Sequence, residues 1–451
     1  MTIFLRLSLL LLAAPLAALA KVPPEKAAEL DGPRLTCLGA ERAGSPGGVA
    51  AYTGKYLGSW PGMKRPHGYE PGPYADEKPL FTITEQNMAQ HAARLTQGQQ
   101  ELLKKYPQAY RMRVYPSHRD FRFDDEACVV AKKNAAVAEV VNDGKGVSGF
   151  GGAVPFPIPQ SGLEGIWNIA LARRAWSESV TADSAVAYAN GAISWGRSKF
   201  VDMYPYGDSR KGMSLQEKIA AYFYITYLLP ERDKGNTSVG FAPLDYSKAT
   251  LQAWAYSPGT RRVRQAPEVG FDYPVPPAGM HTSDEDTLWN GSPERYDWKL
   301  VGKKEFYVPY HNFRINDPAL KYKDLIKPST LNPDYVRYEL HRVWVVEGTL
   351  RPGLRHVYSR RVIHADEDTW LPLWADHYDS RGDFWRTSFV NWFYSQESST
   401  FHRGVTVYHD LDSGAYEATY LVNEAGKGWW RLNQKFPLSM FTPEAAARSG
   451  H

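Results

Sequence analysis

The chain has 451 residues, with 53 Lys and Arg against 49 Asp and Glu, for a formal net charge of +4. Hydrophobic residues at 43% and charged residues at 23% exclude wholesale disorder, and the near-balanced charge argues against a dedicated nucleic-acid binder. Two cysteines exclude a disulfide-dense scaffold and any four-thiolate metal site, while an aromatic share of 13% points to strands and large buried apolar area.

Residues 1–20 read as a signal peptide. Arg6 supplies the positive start, Leu7 to Leu19 the apolar run, and Ala18-Leu19-Ala20 a small-x-small cleavage site. The run is shorter than a membrane span, and no cysteine follows the site to carry a lipid. The expected product is an exported, unanchored periplasmic protein. In that oxidising compartment Cys37 and Cys128 either form a disulfide, closing a loop of about 90 residues worth on the order of 4 kcal/mol, or stay two separate buried thiols.

Lys21 to Arg174 is rich in Gly, Pro and helical pattern, and reads as a segment that packs on the strand-rich remainder of the chain. Residues 44–79 are extended by their Gly-Pro content. Thr84 opens a short helix to about Leu95, and Thr96 caps a second that stops before Pro107. Asp124-Asp125-Glu126 starts a helix predicted to run to about Asn142. Gly149 to Pro159 is extended, and Leu163 to Arg174 is a further amphipathic helix.

From residue 175 to the C-terminus strand signals accumulate. Ile219 to Leu229 suits a buried strand. Leu251 to Tyr256 and Arg261 to Arg264 form a hairpin around Ser257-Pro258-Gly259-Thr260, whose Arg262 and Arg264 share a face that is either solvated or meets anionic head groups or a partner. Tyr335 to Thr349 is a long strand whose alternation places Tyr338, Leu340, Arg342, Trp344 and Val346 on one face. Strands over 354–365, 370–378, 383–393, 401–409 and 416–422 succeed it through short turns. The pattern predicts an α+β, β-dominated protein built on an antiparallel meander, with no βαβ alternation. Residues 21–451 read as one integrated domain.

Several stretches resemble a bacterial family of exported proteins, domain-of-unknown-function family 1329, itself similar to the LolA/LolB lipoprotein carriers. They include YPSHRD at 115–120, GGAVPFPIPQSGLEGIWN at 151–168, AWAYSPGTRRVRQAP at 253–267, YELHRVWVVEGTLRPGLRH at 338–356 and DEDTWLPLWADHYDSRGDFWR at 366–386. The resemblance implies a curved antiparallel half-barrel with helices covering a concave, apolar face. It also implies a carrier of a hydrophobic or acylated small molecule. As partners it suggests a resistance-nodulation-division exporter and an outer-membrane protein. No cofactor and no nucleic acid is implied.

On that expectation the candidate cavity lining is Trp254, Tyr256, Trp298, Leu340, Arg342, Trp344, Val346, Trp370, Trp374 and Trp385, with a packed core as the leading reading for any one of the aromatics. Arg342 either holds a covering helix or keeps its head in water at the strand end. The chain has no G-x-S-x-G, H-E-x-x-H, C-x-x-C or P-loop, and its histidines read as surface or core residues. Two acidic turns echo each other, Asp284-Glu285-Asp286-Thr287-Leu288-Trp289 and Asp366-Glu367-Asp368-Thr369-Trp370. Lacking calcium-loop spacing, both are expected to be solvated. A non-catalytic carrier is the leading expectation. A cargo-free interaction module of an export complex and an envelope hydrolase acting on glycan or lipid are the alternatives.

Overall fold

The computed structural model describes residues 22–55, 68–69, 71–207, 219–266, 270–276, 278–395, 398–426 and 430–448. The signal peptide expected at 1–20 lies outside these residues. In chain order the strands are β1 (Phe81–Ile83), β2 (Met112–Tyr115), β3 (Glu139–Val141), β4 (Gly146–Ser148), β5 (Ser177–Ala187) and β6 (Ile193–Met203). Then come β7 (Ile219–Leu229), β8 (Thr237–Pro243), β9 (Gln252–Ser257), β10 (Arg262–Gln265), β11 (Tyr296–Pro309) and β12 (Arg337–Leu350). The series ends with β13 (Arg360–Asp366), β14 (Pro372–Tyr378), β15 (Phe384–Ser395), β16 (Thr400–Asp410), β17 (Ala415–Leu421) and β18 (Arg431–Leu432).

All but β3 and β4 join one 16-stranded, open, curved sheet. Two meanders build it. Strands β5 to β10 pair each with the next, and so do β11 to β17, always antiparallel. The join is not between β10 and β11, which are consecutive in the chain. Instead β17 returns to β5, pairing Glu417 with Val186 and Ala418 with Ala185. Strand β2 adds in parallel beside the start of β12, so the N-terminal third contributes strands to the same sheet.

Strands β13 to β17 are buried on both faces. Helix Gln97–Lys105 lies on one of them. Its start is fixed locally by reciprocal bonds, Gln99 N to Thr96 Oγ1 at 3.2 Å and Thr96 N to Gln99 Oε1 at 3.0 Å. Its Leu102 and Leu103 are buried in the cluster that holds Trp374 and Phe389. Helix Gly162–Ala170 begins at Ser161, whose Oγ accepts from Glu164 N. It rests on β11 so closely that a Cβ on Gly162 would sit 2.1 Å from the Trp298 carbonyl oxygen, so only glycine fits there.

Helix Asp125–Val137 is capped by Asp124, which accepts from Ala127 N at 2.7 Å. It ends five residues before the predicted Asn142. There the β-branched Val140 and Val141 enter the hairpin of β3 with β4, and Asn142, Asp143 and Gly144 turn it with positive φ. Cys128, on this helix, is bonded to Cys37, so the two cysteines pair. Strands β5, β6, β8 and β11 extend the meander beyond the strands named from the sequence.

Candidate functional site

The expected lining residues fall into separate clusters. Trp298, Trp344, Val346 and Trp370 share one with helices Asp125–Val137 and Gly162–Ala170; Trp344 stacks on Trp370 at 5.1 Å. Leu340 and Trp374 lie in a second cluster, where the Trp374 indole donates to Asp376. Trp254 and Tyr256 belong to a third, under Phe441 and Ala446 of the C-terminal segment. Trp385 is half-buried, with the Arg386 guanidinium 4.0 Å from its ring. All ten are therefore not gathered around one volume.

Both acidic turns are buried rather than solvated, except that the Asp286 side chain is about half exposed. Local sequence cannot show this, because the countercharges come from distant strands. Alternation on β13 to β17 aligns Arg361, His377, Arg386, Tyr408 and Glu417 on one face of the sheet. The first turn lies over that face. Asp284 takes a bidentate pair from Arg361 at 2.7 and 3.0 Å, and His356 Nε2 is 3.2 Å from it. Burial raises the Asp284 carboxyl, but Arg361 and His356 outweigh this and hold it at about 2.

Glu285 accepts from Tyr358 and Ser388, with His377 Nε2 at 2.9 Å. Its burial is likewise opposed by His377, Arg361 and His281, leaving the carboxyl well below the usual range. Asp286 pairs with Arg403 at 2.6 Å, and His281 stacks on Tyr408 while meeting Glu417 at 3.2 Å. This part of the face is charged and filled, not the apolar surface the family resemblance implies. A loop that carries acids to the strand residues Arg361, His377 and Arg403 replaces helix cover.

The second turn fastens the N-terminal segment. Asp368 receives Nε and Nη2 of Arg119, both at 2.7 Å. The same guanidinium donates to the carbonyls of Glu41 and Ala50. Glu367 accepts from Arg342 at 2.7 Å and Lys303 at 2.6 Å, and Arg342 also donates to the carbonyls of Glu41 and Ala43. Arg342 thus holds an extended segment, neither a covering helix nor the solvent. Burial and the neighbouring Asp368 push Asp366 up to about 8, so it is protonated at neutral pH. The resemblance between the turns is structural too. Their fifth residues, Leu288 and Trp370, have φ of 64° and 63° and are fully buried. The repeated DEDT is the one signal in the sequence for this device.

The buried histidines extend the network. Glu339 meets His311 at 2.8 Å and His341 at 3.3 Å, and accepts from His118 N. His118 itself stacks on Tyr74 at 3.7 Å and lies 2.7 Å from Glu77. His341, Asp366 and Asp368 have ligand-type atoms within 4.8 Å of one another. The Asp368 oxygens there are already chelated by Arg119, so this set does not fit a metal ion.

The face that carries Arg361 continues through Val186 onto β5 to β9 and changes character there. Register aligns Phe200 with Ile225, Ser198 with Tyr227 and Asp202 with Phe223. Next to these, Ile225 faces Ser238, Phe223 faces Gly240, and Gly240 faces Ala253. Phe200, Phe223, Ile225 and Tyr227 are half-buried, beside a row of small residues. A Cβ on Gly240 would lie 2.5 Å from the Phe223 ring, so the ring rests directly on the glycine backbone. The opposite face here is closed by Phe441 and Ala446 over Val201, Tyr224, Val239 and Tyr256.

An open, curved antiparallel sheet, filled by charge over one half and bearing a half-exposed apolar row on the other, defines a β-dominated α+β protein. The chain belongs to the family described as "Protein of unknown function (DUF1329)", whose model matches residues 82–447. It is similar to the uncharacterized protein PA3922 of Pseudomonas aeruginosa, 39% identical over 438 residues, covering 96% of this chain and 95% of that one. Among solved structures it is similar to a putative outer membrane lipoprotein-sorting protein domain from Vibrio parahaemolyticus, with TM-score 0.42 and 13% identity. That match covers 61% of this chain and 94% of the other. It is also similar to a DUF1329 family protein from Desulfovibrio piger, with TM-score 0.39, 15% identity and coverage of 60% and 92%. A LolA superfamily protein from Nitrosomonas europaea gives TM-score 0.38, 10% identity and coverage of 64% and 100%.

Proposed function

We propose that the protein is a non-catalytic periplasmic carrier that holds a hydrophobic, lipid-like molecule against the β6–β8 part of its sheet. The observation that carries this is the half-buried row of Phe200, Phe223, Ile225 and Tyr227 beside Ser238 and Gly240. An acyl chain laid along it gains about 0.8 kcal/mol per buried methylene, and the small residues leave room that large ones would fill. The charged half of the same face is tied down by ion pairs, so it serves as a rigid wall. Of the expected lining residues, Trp254 is the one on this half that is not fully buried, though it points to the opposite face with Tyr256.

Two further points support the setting. The apolar start of the chain suits export, and among the described residues no helix is long and apolar enough to cross a membrane. The lipoprotein-sorting description of the Vibrio protein agrees with a carrier role. Exchange of cargo with a resistance-nodulation-division exporter and an outer-membrane protein is the partner context we propose.

The test is extraction of the purified mature protein for mass spectrometry, together with titration of a fluorescent fatty acid. Saturable binding that weakens about tenfold in Ile225→Ser or Phe223→Ser is expected, since either change removes roughly 1.5–3 kcal/mol of apolar burial. An empty protein that binds no probe, or binding indifferent to both changes, overturns the reading.

A further inference from the structure

A cavity of about 590 Å³ lies on the surface at the opposite end of the sheet, beside β1 and β2. Three arginines from two segments converge on it: Arg111 and Arg113 from the β2 segment, and Arg314 from the turn Phe313–Asn316. Arg111 and Arg113 are two apart on an extended chain and share a face, and register sets Thr82 directly across from Arg113. Among the described residues that line the cavity, one acid accompanies the three cations. Asp334 Oδ1 lies 2.7 Å from Arg111 Nη2 and 3.8 Å from Arg113 Nη1. Arg113 also donates to the Asp334 carbonyl at 2.8 Å, which fixes its guanidinium. Arg314 is exposed, and its guanidinium stands 4.8 Å from the centre of the Tyr335 ring.

We infer that this cavity binds a phosphate-type oxyanion. Among its described lining residues, the site keeps two positive charges beyond what Asp334 balances. Guanidinium forks match the oxygen spacing of a phosphate, and a wall built of strand, turn and aromatic ring holds them facing one volume. The volume is larger than free phosphate needs and accommodates a glycerophosphate or lipid headgroup. The ligand chemistry is therefore a phosphate group, either free in solution or at a lipid surface. This site stands apart from the apolar row and does not depend on the carrier reading.

The experiment uses the full mature chain. Inorganic phosphate is titrated by calorimetry, and sedimentation is measured with phosphatidylcholine vesicles with and without phosphatidylglycerol. Arg314→Gln and Asp334→Asn change exposed side chains, so both variants keep the fold, which thermal unfolding checks. Arg314→Gln should weaken binding about tenfold, and Asp334→Asn should strengthen it several-fold by removing the competing carboxylate. Saturable phosphate binding with these two responses identifies a soluble ligand. The same responses seen only on phosphatidylglycerol vesicles identify a lipid headgroup. Failure of both probes to bind, or binding that neither variant alters, overturns the inference.

Discussion

Replacing Arg119 with Met tests the claim that the second acidic turn anchors the N-terminal segment. Arg119 is 2% exposed, chelates Asp368 through two bonds of 2.7 Å, and reaches the carbonyls of Glu41 and Ala50. Met fills much of the volume but leaves the Asp368 carboxylate buried without its partner. Breaking a buried pair from one side costs about 3–5 kcal/mol, and the lost carbonyl bonds add to that. A chain of this length has an unfolding entropy near 0.9 kcal/mol per degree by the usual per-residue value, so a fall in Tm of roughly 4–8 °C is expected. Limited proteolysis provides the local readout, with faster cleavage expected between residues 41 and 50. The double variant Arg119→Met with Asp368→Leu should recover part of the loss, because no buried charge then remains. A single variant with unchanged Tm and unchanged cleavage would refute the anchoring role.

Three other outcomes are expected from the geometry. Asp366 has a folded pKa of about 8, above its ordinary value of 3.8, so its contribution is fully present below about pH 4 and is lost as pH rises through 8. Asp366→Asn should therefore gain stability relative to the parent between pH 5 and pH 9, read by urea unfolding across that range; a constant difference would contradict the protonated state. For Asp284, held at about 2, stability is present above the ordinary value and lost as pH falls toward 2. Asp284→Asn should accordingly be less stable than the parent at pH 7, with the gap closing in acid. Replacing Cys37 and Cys128 by Ser opens a loop spanning a separation of 91 residues and should cost roughly 4–5 kcal/mol in the chain-entropy model. Calorimetry under non-reducing conditions measures it, and an unchanged Tm would count against the bond.

Much of the sheet is legible from local pattern. Alternation marks β12 and β14 through β17 to within a few residues and overshoots the start of β13 by six, and the Pro-Gly turn marks the β9–β10 hairpin, because both signals are written in neighbouring residues. The Thr96 cap is legible for the same reason. Strands β5 and β6 are harder to read: SESVTADSAVA and ISWGRSKFVDM are rich in Ser, Ala and Gly, and weak in the alternation of large apolar groups. The two acidic turns mislead because charge beside a turn normally means water. What buries them is Arg361, 77 residues from Asp284, and Arg119, 249 residues from Asp368, and no window of sequence contains both partners. The same limit applies to the apolar row. Alternation gives the face that Phe223 and Ile225 share, but not which half of a long sheet its own loops leave uncovered.

The pairing of β17 with β5 has a consequence for how the molecule comes together. The first long strand of one meander waits for the final strand of the other, with more than two hundred residues of chain between them. Contacts of such separation form late, since a long loop must close before they stabilise anything. Until then β5 and β17 each present a bare edge able to pair with a neighbouring chain. A chain shortened before Ala415 would keep both meanders and lose the seam, leaving two sticky ribbons prone to aggregation. Assembly is thus a race that the last strand decides.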